Sequence, residues 1–161
     1  GATIASGKAS GAKFVRKGYP EERVGVLCLE DGRPTVIEYY ELSDEMANLR
    51  AGAGRLAYAF GVTLNYLFRL DVLQEIVSQR LPVHAAHKKV PCLDESGALV
   101  TPAYENGYKF ETLILDMVRE AGSCLPFEVV REHEFAPIKN KVGKDSVESA
   151  RELLKRNGVQ L

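Results

Sequence analysis

Residues 128–140 read Glu-Val-Val-Arg-Glu-His-Glu-Phe-Ala-Pro-Ile-Lys-Asn, a stretch that predicts a strand ending in a charged loop. The valine pair at its start is β-branched, which suits a half-buried strand. Pro137 cannot continue a helix and biases the residue before it towards an extended backbone. Lys139 and Asn140 are therefore expected just after a strand end, where α/β proteins usually present groups to ligands. A lysine there is a natural phosphate contact, although most surface lysines bind nothing specific, so both interpretations stay open.

The composition predicts one ordinary globular domain. The chain has 161 residues, of which 45% are hydrophobic and 27% charged, enough to bury a core. A formal net charge of −1 provides no field for nucleic acid or an anionic membrane, so neither is expected as a partner. Cys28, Cys92 and Cys124 are interpreted as buried thiols in a reducing cytosol, which predicts a cytoplasmic location. Because Gly1 and not methionine opens the chain, we expect a processed product or a piece of something longer.

Strand patterns recur along the chain. Alternating or continuous apolar runs, bounded by turn residues, predict strands at 12–17, 24–29, 35–40 and 55–60, whereas 63–68 is ambiguous. Asp31 and Gly32 predict a hairpin turn. Two short strands, at 90–93 and 98–100, flank a turn at 94–97, and the last strand is expected at 127–130.

Helical patterns alternate with these strands. Ser43 is expected to cap a helix that ends near 51–54. The clearest amphipathic pattern, over 110–121, leaves Leu115 off its apolar stripe. The other two predicted helices begin at Asp71, with Gln74 as a capping box, and at Asp145, and end near 79 and 156. There is no internal repeat. Because strands and helices alternate along the chain, with hairpins interspersed, the predicted class is α/β with a mixed sheet.

Few residues carry chemistry by their pattern alone. His84 and His87, with two lysines after them, could bind metal or phosphate, but no third metal ligand follows at a known spacing. Glu38 could be an inward-facing acid, although a lone strand glutamate is more often solvated. No glycine-rich loop joins a strand to a helix, so the sequence shows no obvious nucleotide-binding motif. These residues alone predict an α/β domain with a candidate site for an anionic ligand.

The whole chain resembles a known family. The stretch 131–140 is similar to the Arg-Glu-(Glu/Asp)-Glu-Phe-Ser-Pro-Leu-Lys-Asn signature of the eukaryote-type UDP-N-acetylhexosamine pyrophosphorylases, a branch of the UTP–sugar-1-phosphate uridylyltransferases. Each further motif is weak alone, and their order makes the set specific. These motifs are Gly-Ala-Lys at 11–13, Val-Gly-Val at 24–26, Val-Ile-Glu-Tyr at 36–39, Arg-Leu at 55–56, Lys-Lys-Val-Pro at 88–91 and Asn-Gly-Tyr-Lys at 106–109.

The resemblance implies an activity and a division of labour. The family transfers UMP from UTP to an N-acetylhexosamine 1-phosphate, giving UDP-sugar and pyrophosphate, and Mg²⁺ is implied as its cofactor, although no ligand for it is identified here. Residues 1–161 would be the C-terminal, sugar-binding half of a Rossmann-like, GT-A-like catalytic domain. The family's nucleotide loop Leu-x-Gly-Gly-x-Gly-Thr-Arg is absent from this sequence. We therefore expect a missing N-terminal nucleotide-binding half and no activity from this chain alone.

The resemblance also implies site residues. Lys139 would be catalytic and meet the phosphates, while the backbone at Gly25 would approach the sugar and Glu38 would accept hydrogen bonds from its hydroxyls. Leu113 and Leu115 fall where the family often has phenylalanines near the acyl group, although Leu113 also fits plain core. The remaining implied substrate-binding residues are Gly61, Asn65 and Lys109.

Two departures from the family pattern leave the sugar open. Val62 replaces a sugar-contacting asparagine and Tyr66 replaces a histidine. A sugar hydroxyl that lost its amide partner would cost about 1–3 kcal/mol. Glucose 1-phosphate or another hexose therefore remains an alternative to the hexosamine. The alternative functions are a non-catalytic sugar-nucleotide binding module or degenerate paralogue, and a domain that only mediates assembly.

Overall fold

A computed structural model describes all 161 residues. The α-helices are short, and a 3₁₀ turn at Gly52–Gly54 accompanies them. They are α1 (Ala2–Ser6), α2 (Asp44–Asn48), α3 (Leu70–Ile76), α4 (Asp116–Glu120), α5 (Arg131–Glu134) and α6 (Val147–Arg156). The strands are β1 (Ser10–Arg16), β2 (Val26–Glu30), β3 (Arg33–Ile37), β4 (Phe60–Phe68), β5 (His84–Lys88), β6 (Cys92–Leu93), β7 (Leu99–Val100), β8 (Gly107–Glu111) and β9 (Cys124–Glu128).

A five-stranded sheet in the order β3-β2-β4-β1-β9 forms the centre of the molecule. β1 pairs antiparallel with β4 on one side and parallel with β9 on the other. β2 pairs antiparallel with both β3 and β4. The α/β class with a mixed sheet is therefore confirmed. Two small antiparallel sheets, β5 with β8 and β6 with β7, lie outside the central one.

The core lies on one face of this sheet, where α4 packs against β3. Val118 of α4 and Leu115 just before it are buried there. Four residues of the sheet complete the cluster, namely Ala12, Leu27, Val36 and Val62. Burial of these apolar side chains is what holds the short helix on the sheet. No helix of the chain combines the length and the apolar character that a bilayer span requires.

The predicted helix over 110–121 is wrong. Its first residues belong to β8, which pairs with β5 so that Glu111 faces His84 and Gly107 faces Lys88. Phe110, which begins the supposed apolar stripe, is 67% exposed, whereas Leu115, off the stripe, is 2% exposed in the core. Cross-strand pairing with β5 overrides the local helical period here, and only α4 remains helical.

The predicted strand at 55–60 is also wrong, because the strand begins at residue 60 and continues through the ambiguous 63–68. β4 lies between β1 and β2, and Gly61 permits this placement. A Cβ at Gly61 would lie 2.9 Å from Val24 Cγ1 and 3.3 Å from the Val15 carbonyl oxygen. Gly61 thus lets β4 lie close to neighbouring chain segments, a contact that a sequence pattern does not display.

Smaller corrections concern element ends and cysteines. Ser146, not Asp145, caps α6, in a reciprocal box with Ser149. Arg69 stands at the N-cap of α3, so the capping box expected at Asp71 does not form. The last strand is β9, three residues earlier than expected, and α5 follows it. Lys139 and Asn140 therefore lie on the loop after α5, and the expectation that they directly follow a strand end is wrong. All three cysteines are free, but none is fully buried as expected: Cys28 and Cys124 are half-buried and Cys92 is exposed.

Candidate functional site

One cavity of about 390 Å³ brings four of the predicted site residues together: Gly25, Glu38, Asn65 and Lys139. They come from the start of β2, the end of β3, the middle of β4 and the loop after α5. The central sheet thus gathers residues that lie more than a hundred positions apart in the sequence. The remaining walls include Arg23, Val62, Leu64 and Phe135.

Gly25 forms the floor of this cavity beneath the Glu38 carboxylate. A Cβ at Gly25 would stand 3.2 Å from Glu38 Oε1, 3.2 Å from Val36 Cγ1 and 3.5 Å from Val62 Cγ2. Its carbonyl accepts a hydrogen bond of 2.9 Å from the Val62 N–H, which fixes the backbone against β4. A side chain would therefore push on the carboxylate and on the core simultaneously, which explains a glycine here.

Glu38 is a half-buried acid that few groups neutralise. Burial raises the pKa of its carboxyl, the nearby Glu41 raises it further, and His84 and Lys139 partly oppose the shift. No salt bridge involves this carboxylate, while its own backbone N–H donates to Glu41 Oε2 at 3.0 Å. Because a poorly solvated carboxylate gains from any donor that enters, Glu38 is suited to accept hydrogen bonds from ligand hydroxyls.

Lys139 lies on a loop that is fixed at several points. Its ammonium donates to the Arg23 carbonyl across the cavity. Its backbone N–H and that of Asn140 both donate to the Asp145 carbonyl, at 2.7 and 2.9 Å. Pro137 stiffens the approach to it. The ammonium is thus a positioned cation at the cavity wall, as an anion contact requires.

A clamp that the sequence analysis missed ties the two sides of the cavity together. The Glu22 side chain, 7% exposed, receives Arg131 Nη2 at 2.7 Å and the Gly18 N–H at 2.9 Å. Arg131 also donates to the Arg16 carbonyl at 3.2 Å. The pair joins the segment before Gly25 to α5. Its only sequence signal was the arginine that opens the 131–140 signature.

A bulge in β4 turns Asn65 towards the cavity. The register with β1 shifts between Ala12, opposite Tyr66, and Phe14, opposite Val62. Within the bulge Leu64 has a φ of 60°, a left-handed conformation that leucine rarely adopts. Bulges next to ligand sites commonly redirect a side chain in this way, and backbone strain clusters at such sites. The Tyr66 hydroxyl is buried without a hydrogen-bond partner.

The structure does not place the other four predicted residues in this cavity. Gly61 is buried in β4 against Val24. Lys109 is exposed on β8, where its ammonium lies 2.8 Å from Glu111 Oε2. Leu113 packs against the core cluster and Leu115 is a member of it. Their proposed contacts with substrate therefore stay predictions.

The two histidines considered as ligands have different surroundings, because residues three apart on a strand face opposite sides. His87 stacks on Tyr108 with ring centroids 4.6 Å apart. His84 lies between two carboxylates, with Nδ1 2.7 Å from Glu41 Oε1 and Nε2 3.0 Å from Asp116 Oδ2. No group of three or more histidine, cysteine or acidic side chains is arranged to hold a metal ion.

Taken together, the cavity offers an acid for hydroxyl groups and a cation for a phosphate. Glu38, just after β3, and Lys139, on the loop after α5, both line it together with the Gly25 backbone. Charged groups at fixed positions in a recess select those ligands whose polar groups lie at matching positions. The arrangement suits a phosphorylated polyol such as a sugar phosphate.

Comparisons with known proteins show what the chain as a whole resembles. No family model matches the chain. The UDP-N-acetylhexosamine pyrophosphorylase-like protein 1 of Homo sapiens is 43% identical over 159 residues, covering 96% of this chain and 31% of that protein. UDP-N-acetylglucosamine diphosphorylase 1 of Arabidopsis thaliana is 40% identical over 161 residues, covering 95% of this chain and 30% of that protein.

Comparison of the fold with solved structures agrees with the sequence comparison. The crystal structure of a candidate UDP-N-acetylglucosamine pyrophosphorylase from Entamoeba histolytica superposes with a TM-score of 0.78 at 32% identity, covering 96% of this chain and 39% of that one. The chain thus spans 30–31% of the length of the two curated relatives. Similarity over nearly all of its residues, in sequence and in fold, places the chain in the UDP-N-acetylhexosamine pyrophosphorylase family.

Proposed function

We propose that this chain is the sugar-1-phosphate-binding part of a UTP–N-acetylhexosamine-1-phosphate uridylyltransferase. The convergence of Gly25, Glu38, Asn65 and Lys139 on one cavity carries the proposal. The names of the human and Arabidopsis relatives, a pyrophosphorylase-like protein and a diphosphorylase of UDP-N-acetyl sugars, support the choice of reaction. UTP, the sugar 1-phosphate and the UDP-sugar would be the small-molecule partners.

The chemistry that we propose needs positioned charges more than a reactive side chain. An oxygen of the sugar phosphate attacks the α-phosphorus of UTP, and pyrophosphate leaves. Lys139 would neutralise phosphate charge, and Glu38 would accept hydrogen bonds from the sugar hydroxyls. The bare backbone at Gly25 would let the ring approach the sheet. Holding two reactants in line while screening their charges accounts for most of the rate in such transfers.

We propose that residues 1–161 act as one unit of a larger Rossmann-like, GT-A-like catalytic domain. The glycine-rich loop that would cradle the nucleotide has no counterpart in this sequence. A nucleotide-binding half is therefore needed as a partner, and the isolated chain is expected to form no UDP-sugar. A cytoplasmic location, where UTP is available, completes the proposal.

Mg²⁺ is the cation that we propose for the full enzyme, although this cavity does not fit a dedicated magnesium site. Glu134 is paired with Lys13 at 2.7 Å, which leaves Glu38 as the unpaired carboxylate among the lining residues. A near-octahedral ion needs more oxygen ligands than one carboxylate supplies. Phosphate oxygens and groups outside this chain would have to hold the ion.

The deciding experiment is a chimera. The chain replaces the aligned segment of Arabidopsis UDP-N-acetylglucosamine diphosphorylase 1, and UDP-sugar formation from UTP and N-acetylglucosamine 1-phosphate is measured. We expect activity that Lys139→Ala lowers by about 10²–10³-fold, the loss typical of a charge that meets the transition state. Lys141→Ala, two residues further along the same loop, is the matched control and should leave the rate unchanged.

Three results would contradict or redirect the proposal. A chimera that melts cooperatively but forms no UDP-sugar overturns catalysis. If that chimera is inactive while the isolated chain binds UDP-N-acetylglucosamine by calorimetry, the binding-module alternative replaces it. If the chimera does not fold, NMR of the isolated chain decides, because N-acetylglucosamine 1-phosphate must then shift the amides of Gly25, Glu38 and Lys139.

A further inference from the structure

We propose that His84 is a positioning residue for Glu38, acting through Glu41. The inference rests on the proposed function, because Glu38 is the group that would meet the sugar. His84 itself does not line the cavity. It would act by holding the turn that carries Glu38 in place.

The contacts form a continuous chain from β5 to the cavity. His84 Nδ1 lies 2.7 Å from Glu41 Oε1, and Glu41 Oε2 accepts the Glu38 backbone N–H at 3.0 Å. The backbone N–H groups of Glu41 and Leu42 donate in return to the Glu38 carbonyl, at 2.9 and 3.2 Å. Both carboxylate oxygens of Glu41 are therefore engaged, one by the histidine and one by the residue it places.

The other ring nitrogen anchors the histidine to the core. His84 Nε2 lies 3.1 and 3.0 Å from the two carboxylate oxygens of Asp116, the first residue of α4. Asp116 is itself mostly buried, and Val118 of the same helix is completely buried in the core. A rigid element thus stands at one end of the chain of contacts and the Glu38 turn at the other.

Both ring nitrogens face oxygens that can only accept, so both contacts form together only when the ring carries two protons. Burial acts against the charged ring, but the hydrogen bonds to Glu41 and Asp116 outweigh it, and the pKa of His84 is raised. The other charged groups around the ring are Glu111, opposite His84 on β8, the Lys109 and Lys88 ammoniums beside Glu111, and Glu38.

Few other contacts hold Glu38. Its side chain forms no salt bridge, and its place is set by the backbone bonds of this turn, by a hydrogen bond from the Tyr39 backbone to its carboxyl, and by the close Gly25 backbone. Leu42 of the same turn faces a separate recess, while Tyr39 lines both that recess and the cavity. Without the His84 contact, Glu41 would lose the partner that orients its carboxylate. The Glu38 N–H would then lose its bond to Glu41 and form one to water instead.

The test compares His84→Gln with His87→Gln, a matched control on the same strand whose ring has no carboxylate partner. The first readout is hydrogen exchange of the Glu38 amide in the isolated chain. We expect exchange about tenfold faster in His84→Gln, the loss of one hydrogen bond, with distant core amides unchanged. His87→Gln should exchange as the wild type does.

The second readout is kinetic and uses the chimeric enzyme. His84→Gln should raise KM for N-acetylglucosamine 1-phosphate by about tenfold with a smaller change in KM for UTP, because only the sugar side is displaced. His84→Arg, a permanent cation that can reach both carboxylates, should restore KM and remove the dependence of KM on pH that accompanies titration of the wild-type ring.

The outcomes separate this inference from the proposed function. Equal exchange of the Glu38 amide in the wild type and His84→Gln overturns the inference, as does a uniform rise at every amide, which indicates a merely structural role. If His84→Gln does not fold, the wild type decides, because the Glu38 amide must then lose protection along the titration curve of the His84 ring. If the wild-type chimera is inactive but His84→Gln still speeds exchange of the Glu38 amide in the isolated chain, the proposed function is overturned and the positioning contact is supported.

Discussion

Replacing Gly25 by alanine tests the geometry of the cavity floor most directly. The added methyl group would meet Glu38 Oε1 and Val36 Cγ1, both at 3.2 Å, with Val62 Cγ2 at 3.5 Å behind them. The Glu38 carboxylate is the end of a side chain and can turn away. The Val36 methyl group cannot, because that residue is buried in the core cluster between β2 and α4.

Two consequences of different size follow. Overpacking against Val36 should cost about 1–2 kcal/mol of unfolding free energy, which lowers Tm by roughly 2–8 °C for a chain of this length. Displacement of the Glu38 carboxylate by a few tenths of an ångström should raise KM for the sugar 1-phosphate in the chimera by about tenfold. The backbone at Gly25 has no positive φ, so strain does not add to either effect.

The assays are a thermal melt of the isolated chain and steady-state kinetics of the chimera. Gly52→Ala is the control, because a Cβ there has nothing within 4 Å and its φ is ordinary. It should change Tm and KM by no more than experimental error. An alanine at Gly25 that leaves both Tm and KM unchanged would refute the argument that β2 and Glu38 need a bare backbone at this point.

Four further predictions concern stability. Glu22→Ala should lower the unfolding free energy by about 2 kcal/mol in urea titrations, since the partly buried Arg131 loses its partner; a loss under about 1 kcal/mol would contradict the clamp. Leu64→Asn should stabilise by about 0.5–1 kcal/mol because asparagine tolerates a left-handed φ, whereas Leu67→Asn on the same strand should not raise Tm. Tyr66→Phe should stabilise by about 1 kcal/mol by removing an unpartnered buried hydroxyl, and an unchanged urea midpoint would argue against that burial. The raised pKa of His84 adds stability that is fully present below the unfolded value near 6.5 and is lost as pH rises through the folded value; the urea midpoint should therefore fall with rising pH in the wild type and stay flatter in His84→Gln.

Local signals in the sequence were sufficient for several elements. Asp31 and Gly32 both have positive φ in the hairpin turn between β2 and β3, as their residue types predict. Ser43 caps α2 through its hydroxyl, which accepts the Met46 N–H. In each case the interacting groups are a few residues apart, so the pattern contains the whole interaction.

Elsewhere, pairing between strands that are distant in sequence made predictions from local patterns wrong. The period over 110–121 is a good helical pattern, yet β8 forms there because His84–Lys88 lies alongside and offers strand pairing. β4 starts at residue 60, where Phe60 and Gly61 pair with β1 and Gly61 also pairs with Val26 of β2. Neither partner is near in sequence, and the free energy of strand pairing depends on which neighbour is present.

By itself, the sequence determined the mixed-sheet α/β class, the family, and the presence of a glycine, an acid and a lysine suited to a sugar phosphate. Only the tertiary structure decided that Gly25, Glu38, Asn65 and Lys139 share one cavity while Lys109, Leu113 and Leu115 lie outside it. The clamp at Glu22 and the carboxylates around His84 could not be predicted from the sequence either. A motif records which groups are present, whereas their distances and solvation arise from contacts between segments that only folding brings together.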